Sequence, residues 1–102
     1  MKQTPPVRIV LSDRLTLLPA ERALYQDGER LKVGARALEI LLVLAEEPGR
    51  LVSKDELMER VWPSQHVDEA ALRVHLSALR RILTSEDDHR LIVNESGRGY
   101  RL

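Results

Sequence analysis

The sequence predicts an α+β domain in which a small antiparallel sheet is followed by three helices and a closing β-hairpin. Three observations predict it. Residues 7–33 hold short, partly alternating segments rich in β-branched residues, with Asp27-Gly28 the strongest turn signal in the chain. Residues 35–83 carry apolar side chains at helical spacing, punctuated by Pro48-Gly49 and Trp62-Pro63. Residues 91–102 place two short apolar segments on either side of Glu95-Ser96-Gly97-Arg98-Gly99.

Taken in order, residues 1–6 are a tail and 7–102 one folded domain, since 102 residues leave no room for a second. Strands are expected at Val7-Arg8-Ile9-Val10-Leu11, at Arg14-Leu15-Thr16-Leu17-Leu18 up to Pro19, at 22–26 and at 29–33, making a sheet of three or four strands. Gly34 ends the sheet region. The helix at 35–46 has Ala37, Leu38, Leu41, Leu42, Leu44 and Ala45 and so little polar face that it belongs at the centre of the core. Leu51-Val52 reads as a short apolar link. Ser53-Lys54-Asp55-Glu56 is a capping box, Ser53 as N-cap and Glu56 reaching back, opening a helix that ends at Trp62-Pro63. Asp68 is the expected N-cap of a third helix to about Leu83, with Glu69 in its favourable first turn. Residues 86–90 are a polar loop, 91–94 a strand, 95–99 a turn and 100–102 the returning strand. Helices joined by a short turn and followed by a hairpin (91–102) are the plan of a winged helix-turn-helix, with the small sheet at 7–33 and the three helices at 35–83.

Composition excludes several classes. Without cysteine there is no disulfide framework, thiol nucleophile or thiolate zinc site, which fits a reducing cytoplasm. The N-terminus has no apolar signal region, and the longest strongly apolar run, residues 40–45, is far short of the roughly 18 residues of a membrane span. Tyr25, Trp62 and Tyr100 are the only aromatics, too few for base-stacking platforms on single strands. Enzymatic constellations are poor: His66, His75 and His89 lack i,i+4 partners, no serine sits in a nucleophile elbow, and Gly97-Arg98-Gly99 opens no helix. Glu86-Asp87-Asp88-His89 reads as a solvated loop. No enzyme activity, cofactor or metal is expected.

The 16 basic and 16 acidic residues cancel, so distribution decides. Residues 1–68 hold ten Lys/Arg and eleven Asp/Glu, whereas 70–84 hold Arg73, Arg80, Arg81 and His75 with no acid. Residues 90–102 add Arg90, Arg98 and Arg101 against Glu95 alone. At about 100° per residue, Leu72, Leu76, Leu79 and Leu83 share one narrow arc of the third helix. Ala70, Val74, Ser77, Ala78 and Arg81 lie opposite, Arg73 and Arg80 on one flank, His75 and Ile82 on the other. Small side chains permit close approach to a major groove, arginine donates to phosphates or guanine edges, and Val74 suits a thymine methyl. A solvated helix face accounts for the same arginines equally well when the helix is taken alone. Arg98, between two glycines, sits where a wing tip would carry it to a minor groove or phosphate. Trp62 is foremost a packing residue, with an indole N–H able to donate to phosphate; Tyr100 has the same duality.

These segments resemble the OmpR/PhoB-type winged-helix effector domain, which also serves CadC- and ToxR-like bacterial regulators. The resemblance covers essentially the whole chain. It rests on Glu39-Ile40-Leu41-Leu42-Val43-Leu44-Ala45, Val52-Ser53-Lys54-Asp55-Glu56-Leu57, Val61-Trp62, Val74-His75-Leu76-Ser77-Ala78-Leu79-Arg80-Arg81 and Gly97-Arg98-Gly99-Tyr100-Arg101. It implies a four-stranded N-terminal sheet and binding of double-stranded DNA with the third helix in the major groove. It also implies copies paired head to tail on direct repeats, and activation through RNA polymerase. By position, it implies base-facing roles for Arg73, Val74, Ser77 and Ala78, and phosphate contacts for Trp62, His75, Arg80, Asn94 and Tyr100. The family often has Thr-Pro where this chain has Gly34-Ala35, and some members have arginine in place of Ser77 and Ala78. Its wing arginine usually stands at the position of Ser96, for which Arg98 substitutes here. The link between the second and third helices, residues 63–67, is short. With six residues ahead of the first strand, the expected setting is the N-terminal DNA-binding domain of a longer regulator, or a domain excised from one.

Two readings of different class follow. The leading one is sequence-specific duplex binding in transcription regulation, with no small-molecule substrate. The alternative is a winged-helix protein-interaction module whose exposed Val74 and Ala78 face docks a protein partner.

Overall fold

The computed structural model describes residues 8–83 and 91–102. It comprises two compact units, one ending at Val33 and one beginning at Gly34.

The first unit is a four-stranded antiparallel sheet in the order β1 (Ile9–Val10), β2 (Leu15–Leu18), β3 (Ala23–Gln26), β4 (Glu29–Arg30). Leu17 pairs with Leu24 and Leu18 with Ala23, and Leu15, Leu17, Ala23 and Leu24 are buried. Asp27 and Gly28 have φ of 51° and 84°, the two positive values that a two-residue hairpin turn of primed type demands. Asp27 is also gripped by Arg14, whose Nε and Nη2 donate to Oδ2 at 2.9 and 2.7 Å. Pro19 closes β2 as expected and opens a single 3-10 turn, Pro19–Glu21. The outer strands are shorter than the sequence pattern suggested. The Leu31 N–H still donates to the Leu24 carbonyl at 2.8 Å, but pairing stops there rather than at Val33. Val7, expected to begin the first strand, lies outside the described residues, as do the tail 1–6 and the expected polar loop 86–90.

The second unit contains α1 (Ala35–Glu46), α2 (Lys54–Val61), α3 (Glu69–Leu83) and a hairpin, β5 (Val93–Glu95) with β6 (Gly99–Arg101). Helix α1 packs against both other helices, which is why it is apolar over most of its surface. Its Ile40, Leu41 and Leu44 are fully buried together with Leu57 of α2 and Leu72 and Leu79 of α3. The four leucines of the predicted α3 stripe are its four buried residues.

Two expectations need correction. Ser53 caps α2, its Oγ accepting from the Glu56 N–H at 3.1 Å, but the Glu56 carboxylate does not reach back. It pairs with Arg50 at 2.7 Å instead, within an array in which Arg60 bridges to Glu46 and Glu56, since a guanidinium outcompetes a neutral backbone N–H. Leu51-Val52 is more than a link. Val52 donates to the Tyr100 carbonyl at 2.8 Å and accepts from the Tyr100 N–H at 2.9 Å, adding one rung of a third strand to the hairpin. Gly99 makes this possible: a Cβ there would lie 2.1 Å from the Val52 carbonyl oxygen. The sequence pattern assigned Gly99 to the turn; its decisive role is this backbone approach.

Candidate nucleic-acid interface

Helix α3 is the centre of the candidate site. Its leucine stripe fixes the rotation of the helix, and the opposite face is therefore turned to solvent. Val74 is 65% exposed, one of two large apolar side chains so placed among the described residues. Ala70, Ser77, Ala78 and Arg81 are exposed beside it, and so is Arg73. His75 and Ile82, on the flank, are half-buried. No acidic side chain interrupts this face from Ala70 to Leu83.

The flanking groups are held by specific contacts. The ring of Trp62, at the end of α2, is buried beneath α3, its centroid 5.7 Å from that of His75 in a tilted contact. The Arg36 guanidinium of α1 lies 5.8 Å from the same indole and donates to the Val61 carbonyl at 2.5 Å. Arg36, Trp62 and His75 thereby tie the three helices at one corner, and packing is the role the structure gives the Trp62 ring. Arg80 is half-buried, its guanidinium 5.8 Å from the Tyr100 ring and 3.5 Å from the Ile92 carbonyl oxygen. This links the last turns of α3 to the hairpin. Tyr100 itself is buried. No buried side-chain polar atom lacks a partner among the described residues, and neither the indole N–H nor the Tyr100 hydroxyl donates to one of them.

The hairpin presents Asn94, Ser96, Gly97 and Arg98 to solvent. The Arg98 N–H donates to the Glu95 carbonyl at 2.8 Å, closing a turn with Gly97 at φ 75°, so Ser96 and Gly97 form the tip and Arg98 its descending side. Arg101 is paired with Glu95 across the hairpin at 3.1 Å. Arg81 and Arg98 make no ion pair among the described residues. Arg90 lies outside them.

Sequence reasoning did not single out Lys54 and Glu69 for this surface. Glu69 accepts from Lys54 at 2.9 Å through Oε1 and from Arg73 at 2.5 Å through Oε2. Hydrogen bonding and charge from Lys54, with a further contribution from Arg73, hold its carboxyl below the ordinary glutamate range. The i,i+4 spacing of Glu69 and Arg73 was the available signal. The link to Lys54 required the helix pairing. Among the described residues no cluster of His, Asp and Glu is arranged to hold a metal ion, and no helix is long and apolar enough to cross a membrane.

A sheet, three helices and a hairpin in this order, with an arginine-edged outward face on the third helix, define a winged helix-turn-helix domain. Residues 28–102 match the family described as transcriptional regulatory protein, C terminal, and the chain belongs to that family. It is a family of regulators rather than of enzymes. The chain is 33% identical over 85 residues to the transcriptional regulator HilA of Salmonella typhi, covering 83% of this chain and 15% of that protein. It is 33% identical over 95 residues to the transcriptional regulatory protein KdpE of Mycobacterium tuberculosis, covering 91% of this chain and 42% of that one. The chain thus spans less than half the length of these curated relatives. Among solved structures, the DNA-binding domain of Escherichia coli CadC superposes with a TM-score of 0.81 at 27% identity, covering 98% of this chain and 94% of that one. The DNA-binding domain of E. coli CpxR does so at 0.78 and 29%, covering 97% and 96%. The fold foreseen from the sequence is the fold found, the four-stranded N-terminal sheet included.

Proposed function

We propose that residues 7–102 form a domain that binds double-stranded DNA sequence-specifically in transcription regulation, with α3 in the major groove and the hairpin on the adjacent backbone and minor groove. The observation that carries this reading is the outward face of α3. Ala70, Ser77 and Ala78 are small, Val74 is apolar, all four are exposed, Arg73 and Arg81 edge them, and no acid follows Glu69 along the helix. A groove-reading helix needs that shape and that charge. Arg73, Val74, Ser77 and Ala78 face bases. The indole N–H of Trp62, His75, Arg80, Arg81, Asn94, Arg98 and the Tyr100 hydroxyl address phosphates along the rim. Because phosphates position while base edges specify, affinity comes from the rim and selectivity from the small-residue face. The substrate places the domain in the cytoplasm. Two copies head to tail on a direct repeat, and contact with RNA polymerase, fit the same reading.

The test is selection of binding sites from random duplex, followed by isotherms on the selected site and on random DNA across a salt series. A selected motif, bound more tightly than random DNA and with affinity falling as salt rises, is expected. Absence of salt-dependent binding to any duplex would refute the reading and favour a protein partner for the Val74 and Ala78 face.

A further inference from the structure

The one acid within α3 is Glu69, and it is placed between two cations from different helices. Lys54 is the first residue of α2 and Arg73 stands one turn into α3. The Glu69 carboxylate takes Lys54 on Oε1 and Arg73 on Oε2. None of the three is deeply buried, their side chains being 32% (Lys54), 39% (Glu69) and 67% (Arg73) exposed. An exposed triad of this kind contributes little to stability. Its position is what matters. In a helix-turn-helix the first helix lies across the backbone and the N-terminal part of the second reads bases. The carboxylate thus pairs with two cations and offsets one of their two charges where phosphates would approach, and repels those phosphates itself.

We propose that Glu69 is a specificity-determining residue that works by restraint: it withholds Lys54 and Arg73 from indiscriminate phosphate contact and keeps the Arg73 guanidinium in one orientation. This rests on the DNA-binding reading above. On random duplex the pairs to Glu69 compete with every phosphate, so non-specific binding is weakened. On the correct site Arg73 has a base or backbone partner that compensates, and its prior ordering lowers the entropy lost. The carboxylate gives up affinity in general to gain discrimination in particular, which is the logic of building a penalty against wrong partners.

Glu69→Gln tests this, since the amide keeps the shape and removes the charge. The chain is taken as it stands, with a site selected by the wild-type protein and a random duplex of equal length. For Glu69→Gln, affinity for random DNA should rise about threefold or more. The magnitude of its log K against log salt slope should increase by up to about 1.8, two freed cations at about 0.9 each. The ratio of selected-site to random affinity should fall. Combining Glu69→Gln with Lys54→Ala and Arg73→Ala should return random-DNA affinity and slope to the wild-type values or below. Two outcomes overturn the proposal. If random-DNA affinity and slope are unchanged while the melting temperature falls, Glu69 is only a stabiliser of the helix start. If the selected motif changes at one base pair with the random-DNA slope unchanged, Glu69 reads a base directly, as a carboxylate can at cytosine N4. Should the wild-type protein show no salt-dependent duplex binding at all, the DNA-binding reading fails first and takes this proposal with it. A wild-type isotherm separates that case from the other two.

Discussion

Replacing Gly99 with alanine should detach the hairpin from the helices, and the size of the effect follows from the backbone geometry. An alanine Cβ would sit 2.1 Å from the Val52 carbonyl oxygen and 2.8 Å from the Ser53 Cα, both backbone atoms that no rotamer change can move. Gly99 also has φ of 147°, a conformation that L-residues rarely adopt. Relief requires β6 to withdraw from Val52, which breaks the reciprocal pair of hydrogen bonds between Val52 and Tyr100. Two net backbone bonds at about 1 kcal/mol each, plus about 1–3 kcal/mol of conformational strain, give a cost of roughly 3–5 kcal/mol. A domain of this size has only about 5–15 kcal/mol to lose. The melting temperature should therefore fall by about 12 °C or more, at roughly 4 °C per kcal/mol. Gly97→Ala is the matched control. Gly97 has φ of 75°, but an alanine Cβ there would meet nothing within 4 Å, so the substitution incurs strain alone, about 1 kcal/mol. The assay is urea unfolding of both variants with hydrogen exchange at the Val52 and Tyr100 amides. If Gly99→Ala proves no more destabilising than Gly97→Ala, or if those amides stay protected, the hairpin is not anchored through this approach and the reasoning fails.

Leu76→Ala, at the middle of the buried stripe, should cost about 2–5 kcal/mol, and an unchanged thermal melt would mean that the rotation of α3 is wrong. Arg81→Ala and Arg98→Ala should leave the melt unchanged. If each removes a phosphate contact, the salt slope should fall in magnitude by about 0.9 for each. Arg80→Ala should lower both stability and affinity, because its stem and guanidinium cover Tyr100 and reach Ile92; a melt equal to wild type would make it a DNA contact only. Arg60 holds the Glu46 carboxyl below its ordinary value of 4.5 by hydrogen bonding and charge, so that contribution is complete above pH 4.5 and is lost as the pH falls through the depressed value. Arg60→Met should accordingly flatten the decline of stability below pH 4.5, and an acid titration with the same slope as wild type would show that the pair contributes nothing.

The legible parts of this fold were those set by local chemistry. Asp27-Gly28 specified its own turn through two positive φ angles, Ser53 its helix start, and Leu72, Leu76, Leu79 and Leu83 the rotation of α3. What escaped the sequence depended on partners distant in the chain. Val52 looked like a link because one strand rung has no periodicity, and its pairing with Tyr100 is visible only once the hairpin is in place. Glu56 satisfied a capping pattern yet found a guanidinium, Arg50, that binds it more strongly than a backbone N–H. The candidate site divides in the same way. The exposed face of α3 followed from periodicity and the packing role of Trp62 from its residue type, but the Lys54–Glu69–Arg73 triad came from packing between helices.

A protein with no net charge is an unpromising ligand for a polyanion only if its charges act as a sum. They do not, because at physiological salt a charge is felt over about 8 Å. In the second unit several acids are committed locally: Glu46 and Glu56 to Arg60, Glu47 and Glu56 to Arg50, Glu95 to Arg101 and Glu69 to Lys54 and Arg73. Among the described arginines of α3 and the hairpin, Arg81 and Arg98 have no such partner, and Arg80 is engaged partly by Tyr100. The positive field that reaches a phosphate backbone is therefore narrow and supplied by few side chains. Such a surface cannot hold DNA tightly wherever it lands. If α3 enters the groove as proposed, useful affinity comes from fit along Ala70, Val74, Ser77 and Ala78, where a wrong sequence leaves those side chains without a complementary groove. Neutrality is then consistent with a reader of sequence: it removes the indiscriminate share of binding, and leaves the share that depends on which bases are present.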